Sequence, residues 1–332
     1  MAILALLAAA LLVGACTPDG GARTEIGAGG EARSFTLAAL NVEWLFDGRG
    51  DERFSNAPQS EAEAQAHLED VASYLAVIDA DYVSLAEVED DTMLRRLGEL
   101  LAETYAPIFV QGTDTYTGQD VGALSKVPES ASGRSEERVR YPVMGSQLTC
   151  SRGDKGVSKH YWADIELLGV PVTVIGVHFL AYPDRCDRAV QREAQAAVIR
   201  NLVADRLAGQ SGREVIVLGD FNDFDGEVAD ANGNRPISCV FDVLTDIDFS
   251  GAGDELINLA ALIPAAERYT CWYDRDGDGV DDGGSEHSQL DTILISRGLL
   301  PYVDDVRIDH SYAAGSVSDH WPIIARFAPP GG

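Results

Sequence analysis

Lysine is nearly missing from this 332-residue chain: three of its 25 basic residues are Lys, against 54 acidic side chains. The formal charge of −29 excludes a protein that draws polyanions in at long range. Salt screens such fields beyond roughly 8–10 Å, so a nucleic-acid substrate has to be held by a local Arg/Lys rim or through bound metal. No C-x-x-C pair or Cys/His cluster occurs among the five cysteines, which argues against a zinc site. No Gly-rich phosphate loop, repeat period or internal linker is visible, so the body 34–328 reads as one domain. What is present is 45% hydrophobic residues, enough for a sizeable core.

The apolar run Ala2–Val13 is too short to span a bilayer and reads as part of a secretory signal, 1–15. Its end, V-G-A-C, resembles a bacterial lipoprotein processing site with Cys16 as the lipidated residue, although no Lys or Arg precedes the run. Simple cleavage and secretion is the competing reading. Residues 16–33, rich in Gly and small side chains, form a flexible tether. The expectation is an exported protein, a cell-envelope lipoprotein or an extracellular one. Export makes the four remaining cysteines candidates for two disulfides. Of three possible pairings, chain order favours Cys150–Cys186 and Cys239–Cys271.

The body alternates strands and helices. Val215–Asp223, V-I-V-L-G-D-F-N-D, reads as a buried strand, a turn at Gly219, and then Asp220 and Asn222 projecting from one face. Phe35–Val42 is a strand delivering Asn41 and Glu43 at the same spacing. Ser60 and Glu63 form a capping box, opening a helix with the stripe Ala64, Leu68, Val71, Leu75 and Ile78. Tyr82–Val88 ends near Glu87, and Met93–Tyr105 is expected to be helical. Further strands are expected at Val121–Ser125, Trp162–Leu167, Val170–Phe179 (carrying His178), Thr292–Ser296 and Ile323–Phe327, with a helix over Asp187–Leu207. Long helical and loop connections between strands argue for a layered α/β sandwich.

Polar residues gather where apolar runs meet loops: Asn41, Glu87, His178, Asp220, Asn222, Asp291, Asp319 and His320. Each has a bland reading as a turn, a cap or a satisfied core histidine. Together they supply what phosphoester hydrolysis needs: carboxylates for a hard cation, amides to position phosphate, and two imidazoles for proton handling.

The ordered set N-V-E-W, L-A-E-V-E, I-G-V-H-F, L-G-D-F-N-D, Q-L-D-T-I-L-I-S and S-D-H-W-P-I resembles the endonuclease/exonuclease/phosphatase superfamily over Phe35 to Phe327. That resemblance implies a four-layer sandwich, two mixed β-sheets face to face with helices outside. It implies Glu87 as the main metal ligand, with Asn41 and Asp319 beside it. Asp220 and Asn222 would manage the attacking water, and His178 would contact the phosphate. His320, held by Asp291, would stabilise developing negative charge. Magnesium fits such oxygen ligands, manganese should substitute, and Glu43 stands where a second metal role is conceivable. Tyr116 and Lys159 are candidate phosphate contacts from the middle of the chain, and Asp120 a candidate partner for His178.

Asp274, Asp276, Asp278 and Asp282 match the start of a calcium loop, but Ser285 takes the twelfth position, with Glu286 one residue late. Calcium binding and a merely solvated acidic loop are evenly balanced. The leading functional reading is a metal-dependent extracellular endonuclease or phosphodiesterase with nucleic acid as its transient substrate and no obligate protein partner. A sphingomyelinase-like phospholipase or a phosphoinositide phosphatase of the same superfamily comes second. A non-catalytic calcium-binding lipoprotein comes last, because all eight positions are chemically intact.

Overall fold

The computed structural model describes residues 34–50, 53–102, 104–250 and 255–331. The expected signal 1–15, the tether 16–33 and the lipidation site Cys16 lie outside the described residues.

In chain order the elements are β1 (Phe35–Leu45), α1 (Glu61–Ile78), β2 (Tyr82–Val88), α2 (Asp91–Leu100), β3 (Ala106–Phe109) and β4 (Asp120–Ser125). Three short strands follow, β5 (Ala131–Gly133), β6 (Val139–Tyr141) and β7 (Gly153–Lys155), then the long β8 (His160–Leu167) and β9 (Val170–His178). Next come α3 (Cys186–Gly209), β10 (Glu214–Asp220), α4 (Val240–Thr245), β11 (Leu256–Asn258), β12 (Cys271–Trp272) and β13 (His287–Ser288). The chain closes with β14 (Asp291–Ser296), β15 (Val303–Ile308) and β16 (Ile323–Phe327).

Two six-stranded sheets form, ordered β15-β16-β1-β2-β4-β3 and β11-β14-β10-β9-β8-β5. Each is antiparallel except for one central parallel pair, β1 with β2 and β9 with β10. The sheets face each other across one apolar layer. Leu37, Ala39, Tyr82 and Ala86 from the first meet Tyr161, Val174, Ile216 and Leu218 from the second. Alternate residues point outward, where Ala38, Leu40 and Val42 pack with Leu68, Val71 and Leu94 of α1 and α2. On the other side Val215 and Val217 pack with Ala196, Ile199 and Val203 of α3. Covering both faces explains why the central strands read as unbroken apolar runs rather than alternating ones. The expected four-layer α/β sandwich is the observed architecture.

Three local expectations differ. The helix foreseen over 93–105 is Asp91–Leu100, capped by Asp90, whose carboxylate accepts from the Met93 N–H at 2.9 Å. The helix stops short of Tyr105, and the next residue, Ala106, opens β3, paired with β4. In the capping box, Ser60 accepts from the Glu63 N–H, but Glu63 reaches back to the Gln59 N–H instead of the Ser60 N–H. Gly219 makes no turn; it lies inside β10 at φ 126°, because any Cβ there would run into the Val177 carbonyl on β9.

Candidate active site

The two parallel pairs end side by side. Asn41 closes the sheet-facing part of β1 and Glu87 sits near the end of β2; His178 and Asp220 are the last residues of β9 and β10. In the second sheet the register sets Asp220 directly opposite both His178 on β9 and Asp291 on β14. Three functional groups therefore occupy one row across adjacent strands. Crevices at the carboxyl ends of parallel strands are the usual ligand sites of α/β sheets.

Hydrogen bonds join the sheets. The Asn41 carboxamide donates to Glu87 Oε1 at 3.2 Å and to Asp220 Oδ2 at 3.1 Å. Asp220 also accepts the Asn222 N–H at 2.8 Å, and Asn222 donates its own amide to the Phe179 carbonyl at 3.2 Å. The last motif is tied in from a distant part of the chain. Ser318 donates to the Asn41 carbonyl at 2.7 Å, and the Asp319 N–H donates to Glu43 at 3.0 Å. His320 Nδ1 then lies 2.6 Å from Asp291 Oδ2, while Thr270 Oγ1 accepts the Asp291 N–H at 2.9 Å.

Charge is crowded here. Burial, followed by Asp319, pushes Glu43 up to about 8, and the same two causes raise Glu87. Burial and then Asp291 push Asp220 up to about 7. Burial lowers His178 well below the ordinary imidazole value, helped by Lys159 and His320, so its ring is neutral near pH 7. Its Nε2 lies 3.6 Å from Asp220 and 3.8 Å from Glu87, and its buried Nδ1 has no hydrogen-bond partner among the described residues. His320 moves the other way. Burial opposes its charge, but contacts with Cys271 and Asp291 raise it well above its ordinary value. Burial keeps the Cys271 thiol neutral, so the fixed charge that holds the proton is the Asp291 carboxylate.

Backbone strain concentrates at the same place. Glu43, Trp44, Glu87, Tyr182 and Asn222 all have positive φ without being glycine, a conformation kept only where surrounding contacts enforce it. Around them opens a cleft of about 1050 Å³, lined in part by Glu43, Glu87, His178, Lys159, Tyr116 and Asp319. Lys159 is buried, with Nζ 3.1 Å from Gln119 Oε1 and 3.8 Å from Asp114. Tyr116 is exposed on the rim. Asp120 binds Gln111 rather than His178.

The expected calcium loop is exposed. Asp276, Asp278 and Asp282 bring one oxygen each within 4.8 Å of one another, as do Asp274, Asp276 and Glu286. Glu286, not Ser285, faces the loop, accepting the Trp272 indole N–H and the Arg275 N–H at 3.0 Å each. Of the expected disulfides, Cys150–Cys186 is formed and Cys239–Cys271 is not. Cys239 caps α4 with its N–H donating to Glu193, whereas Cys271 pairs with His320 in an isolated bridge. Sequence order could not separate these two places. Sequence reasoning also missed Thr270, which braces Asp291, and Arg192, fully buried against Asp223 at 2.9 Å.

No protein-family model matches the chain, and no curated protein does either. Solved structures do. The chain is similar to a 3′ phosphatase, NExo, from Neisseria bound to product DNA hairpin, at 19% identity and TM-score 0.57, covering 89% of this chain and 100% of that one. Another is TDP2 from D. rerio complexed with single strand DNA product, at 16% identity and TM-score 0.55, covering 89% and 99%. A third is an endonuclease/exonuclease/phosphatase from Bacteroides vulgatus, at 18% identity and TM-score 0.53, covering 89% and 98%. These likenesses agree with the motif resemblance and establish the fold: the chain has the sandwich of the endonuclease/exonuclease/phosphatase structures.

Proposed function

We propose that this protein is a divalent-metal-dependent phosphodiesterase that hydrolyses nucleic acid outside the cell, held at the envelope by lipid on Cys16. The observation that carries the reading is the row His178–Asp220–Asp291, with His320 bonded to Asp291 and the oxygen donors of Glu87 and Asn41 alongside. It combines a base, a fixed imidazolium and a hard-cation site within one strand-end crevice.

The residues present fit a magnesium or manganese ion. Glu43, Glu87 and Asp319 are carboxylates raised by burial and, for Glu43 and Glu87, by Asp319 as well, a crowding that a cation relieves. Glu87, Asn41 and Asp319 would hold the ion, which when bound polarises the phosphoryl oxygens. Asp220, raised toward neutrality, accepts the proton of a water as its oxygen forms a bond to phosphorus. Asn222 orients that water. The neutral His178 donates to a non-bridging oxygen, and the charged His320 stabilises the extra negative charge until the P–O bond to the leaving group breaks. Lys159 and Tyr116 line the same cleft and would contact the phosphate from its wall. A calcium ion belongs in this reading at Asp274, Asp276, Asp278 and Asp282, bracing the segment that leads to Asp291.

The test is nicking of supercoiled plasmid by the full chain in Mg2+, with chelator and His178→Ala as controls. Metal-dependent nicking that falls more than about 100-fold in the variant is expected. Folded protein that cleaves neither plasmid nor bis(p-nitrophenyl) phosphate in Mg2+ or Mn2+ sinks the reading. Cleavage of sphingomyelin or phosphoinositides but not DNA or RNA would transfer it to lipid substrates.

A further inference from the structure

A chain with charge −29 places four of its 25 basic residues next to one another along this cleft. Arg138, Lys155, Arg185 and Arg188 all line it. Arg185 is bound to Asp187 at 3.0 Å. Among the described residues Arg138, Lys155 and Arg188 form no ion pair within 4.0 Å, although Asp114 acts on Lys155 and Asp187 on Arg188 from further away, and Arg138 bonds the Asp154 carbonyl at 2.7 Å. Burial lowers Lys155, and Arg188, Arg138 and Lys159 depress it further, so these cations lie close enough to repel one another. Like charges lining a cleft raise the local concentration of counter-ions, here anions.

The wall is built, not incidental. Lys155 ends β7, which pairs with β6 as a two-stranded ribbon packed on α3. The Cys150–Cys186 disulfide ties the loop joining β6 and β7 to the first residue of α3, one helical turn or less from Arg185 and Arg188. Arg192 fixes the preceding loop, donating to the carbonyls of Leu180, Tyr182 and Pro183 at 3.0 to 3.1 Å. That grip holds Tyr182 at φ 73°, the residue 59% exposed and the Arg185 and Arg188 guanidiniums within 6 Å of its ring centre. Trp44 and Tyr116 supply further aromatic surface to the same cleft. At about 1050 Å³ the cleft lies at the upper end of the roughly 300–1,000 Å³ typical of small-molecule pockets.

Cations that track a backbone, interleaved with exposed rings that stack bases, are the pattern of single-strand binding. We propose that Arg138, Lys155 and Arg188, with Tyr182 as stacking platform, form a strand-binding wall clamped by Cys150–Cys186, which grips the phosphates flanking the scissile one in a single-stranded nucleic acid. This inference rests on the reading of the site as a phosphodiesterase. It makes the disulfide a determinant of substrate choice as well as a contributor to stability.

The experiment compares wild type, Lys155→Ala/Arg188→Ala, the milder Lys155→Gln/Arg188→Gln, and Cys150→Ser/Cys186→Ser, each checked for an intact thermal transition. Binding of fluorescein-labelled oligothymidylate of eight residues is followed by anisotropy in chelator. Hydrolysis of the same oligomer and of bis(p-nitrophenyl) phosphate is measured in Mg2+. In wild type the oligomer binds with a salt-dependent Kd. Losing two phosphate contacts should lower the slope of log Kd against log salt by about 1.4. The ratio of kcat/KM for the oligomer to that for the small diester should fall at least tenfold in both pair variants, mainly through KM, and less in the disulfide variant. An unchanged slope and ratio overturns the proposal, as does a Lys155- and Arg188-dependent gain for phosphoinositide vesicles with none for the oligomer. Oligomer binding that depends on the wall, in a protein that hydrolyses neither substrate, supports the wall and sinks the phosphodiesterase reading.

Discussion

Asn41 and Asp220 stand 179 residues apart in the chain, on different sheets, and the Asn41 amide donates to the Asp220 carboxylate at 3.1 Å. The same amide reaches Glu87, so one side chain couples the carboxylate proposed as base to the one proposed as metal ligand. Removing it leaves a buried carboxylate short of a donor and a metal ligand free to rotate. Asn41→Ala should therefore weaken Mg2+ activation roughly 10–100-fold and lower kcat with it. A magnesium titration of activity checks this; an unchanged half-activation concentration would contradict the bridging role.

Asp291→Asn should keep the hydrogen bond to His320 but remove the charge that holds the ring protonated. A loss of about 10²–10⁴ in kcat is expected, the range for acid–base groups. The rate should also decline at a lower pH than in wild type, because the ring sheds its proton sooner. A pH–rate profile with the wild-type alkaline limb would refute the pairing.

The stability of the chelator-treated protein should depend on pH in a defined direction. Glu43, raised from 4.5 to about 8, and Asp220, raised from 3.8 to about 7, bind protons more tightly folded than unfolded. Raised carboxylates stabilise the fold fully below their unfolded values and lose that contribution as pH climbs through the folded ones. The melting temperature should fall between pH 5 and 8 and level off above. Saturating Mg2+ should abolish most of the fall, since the bound cation favours the ionised forms. Scanning calorimetry with and without metal decides it.

Gly219→Ala should be costly although it adds a single methyl. Its Cβ meets the Val177 carbonyl, and the positive φ suits no L side chain. A loss above about 2 kcal/mol by urea unfolding is expected, well beyond an ordinary surface substitution.

Peptide mapping without reduction should recover a Cys150–Cys186 crosslink, with Cys239 and Cys271 alkylated after denaturation. Cutting the crosslink should cost about 2–4 kcal/mol. A Cys239–Cys271 linkage in the native protein would contradict the placement of Cys271 beside His320.

Much of this protein is decided locally, and that part was legible in the sequence. The apolar runs ending in Asn41, Glu87, His178 and Asp220 declared strands with polar tips, and Ser60 and the stripe from Ala64 to Leu75 declared α1. Layered α/β architecture followed from their alternation. What required the tertiary structure was everything set by register and by packing between sheets. Strands buried on both faces carry no alternation, so periodicity could not say which residues of β1 face the other sheet and which face α1. Nor could spacing reveal that Asp220 lies between His178 and Asp291, since strand order is chosen by the whole sheet. The short β6 and β7, with few apolar residues, gave no signal at all, yet β7 brings Lys155 to the cleft beside Arg188 of α3. Cys271 illustrates the limit best: chain order assigned it a partner, and the fold placed it against His320, because a disulfide needs two backbones brought within about 7 Å, which only folding arranges.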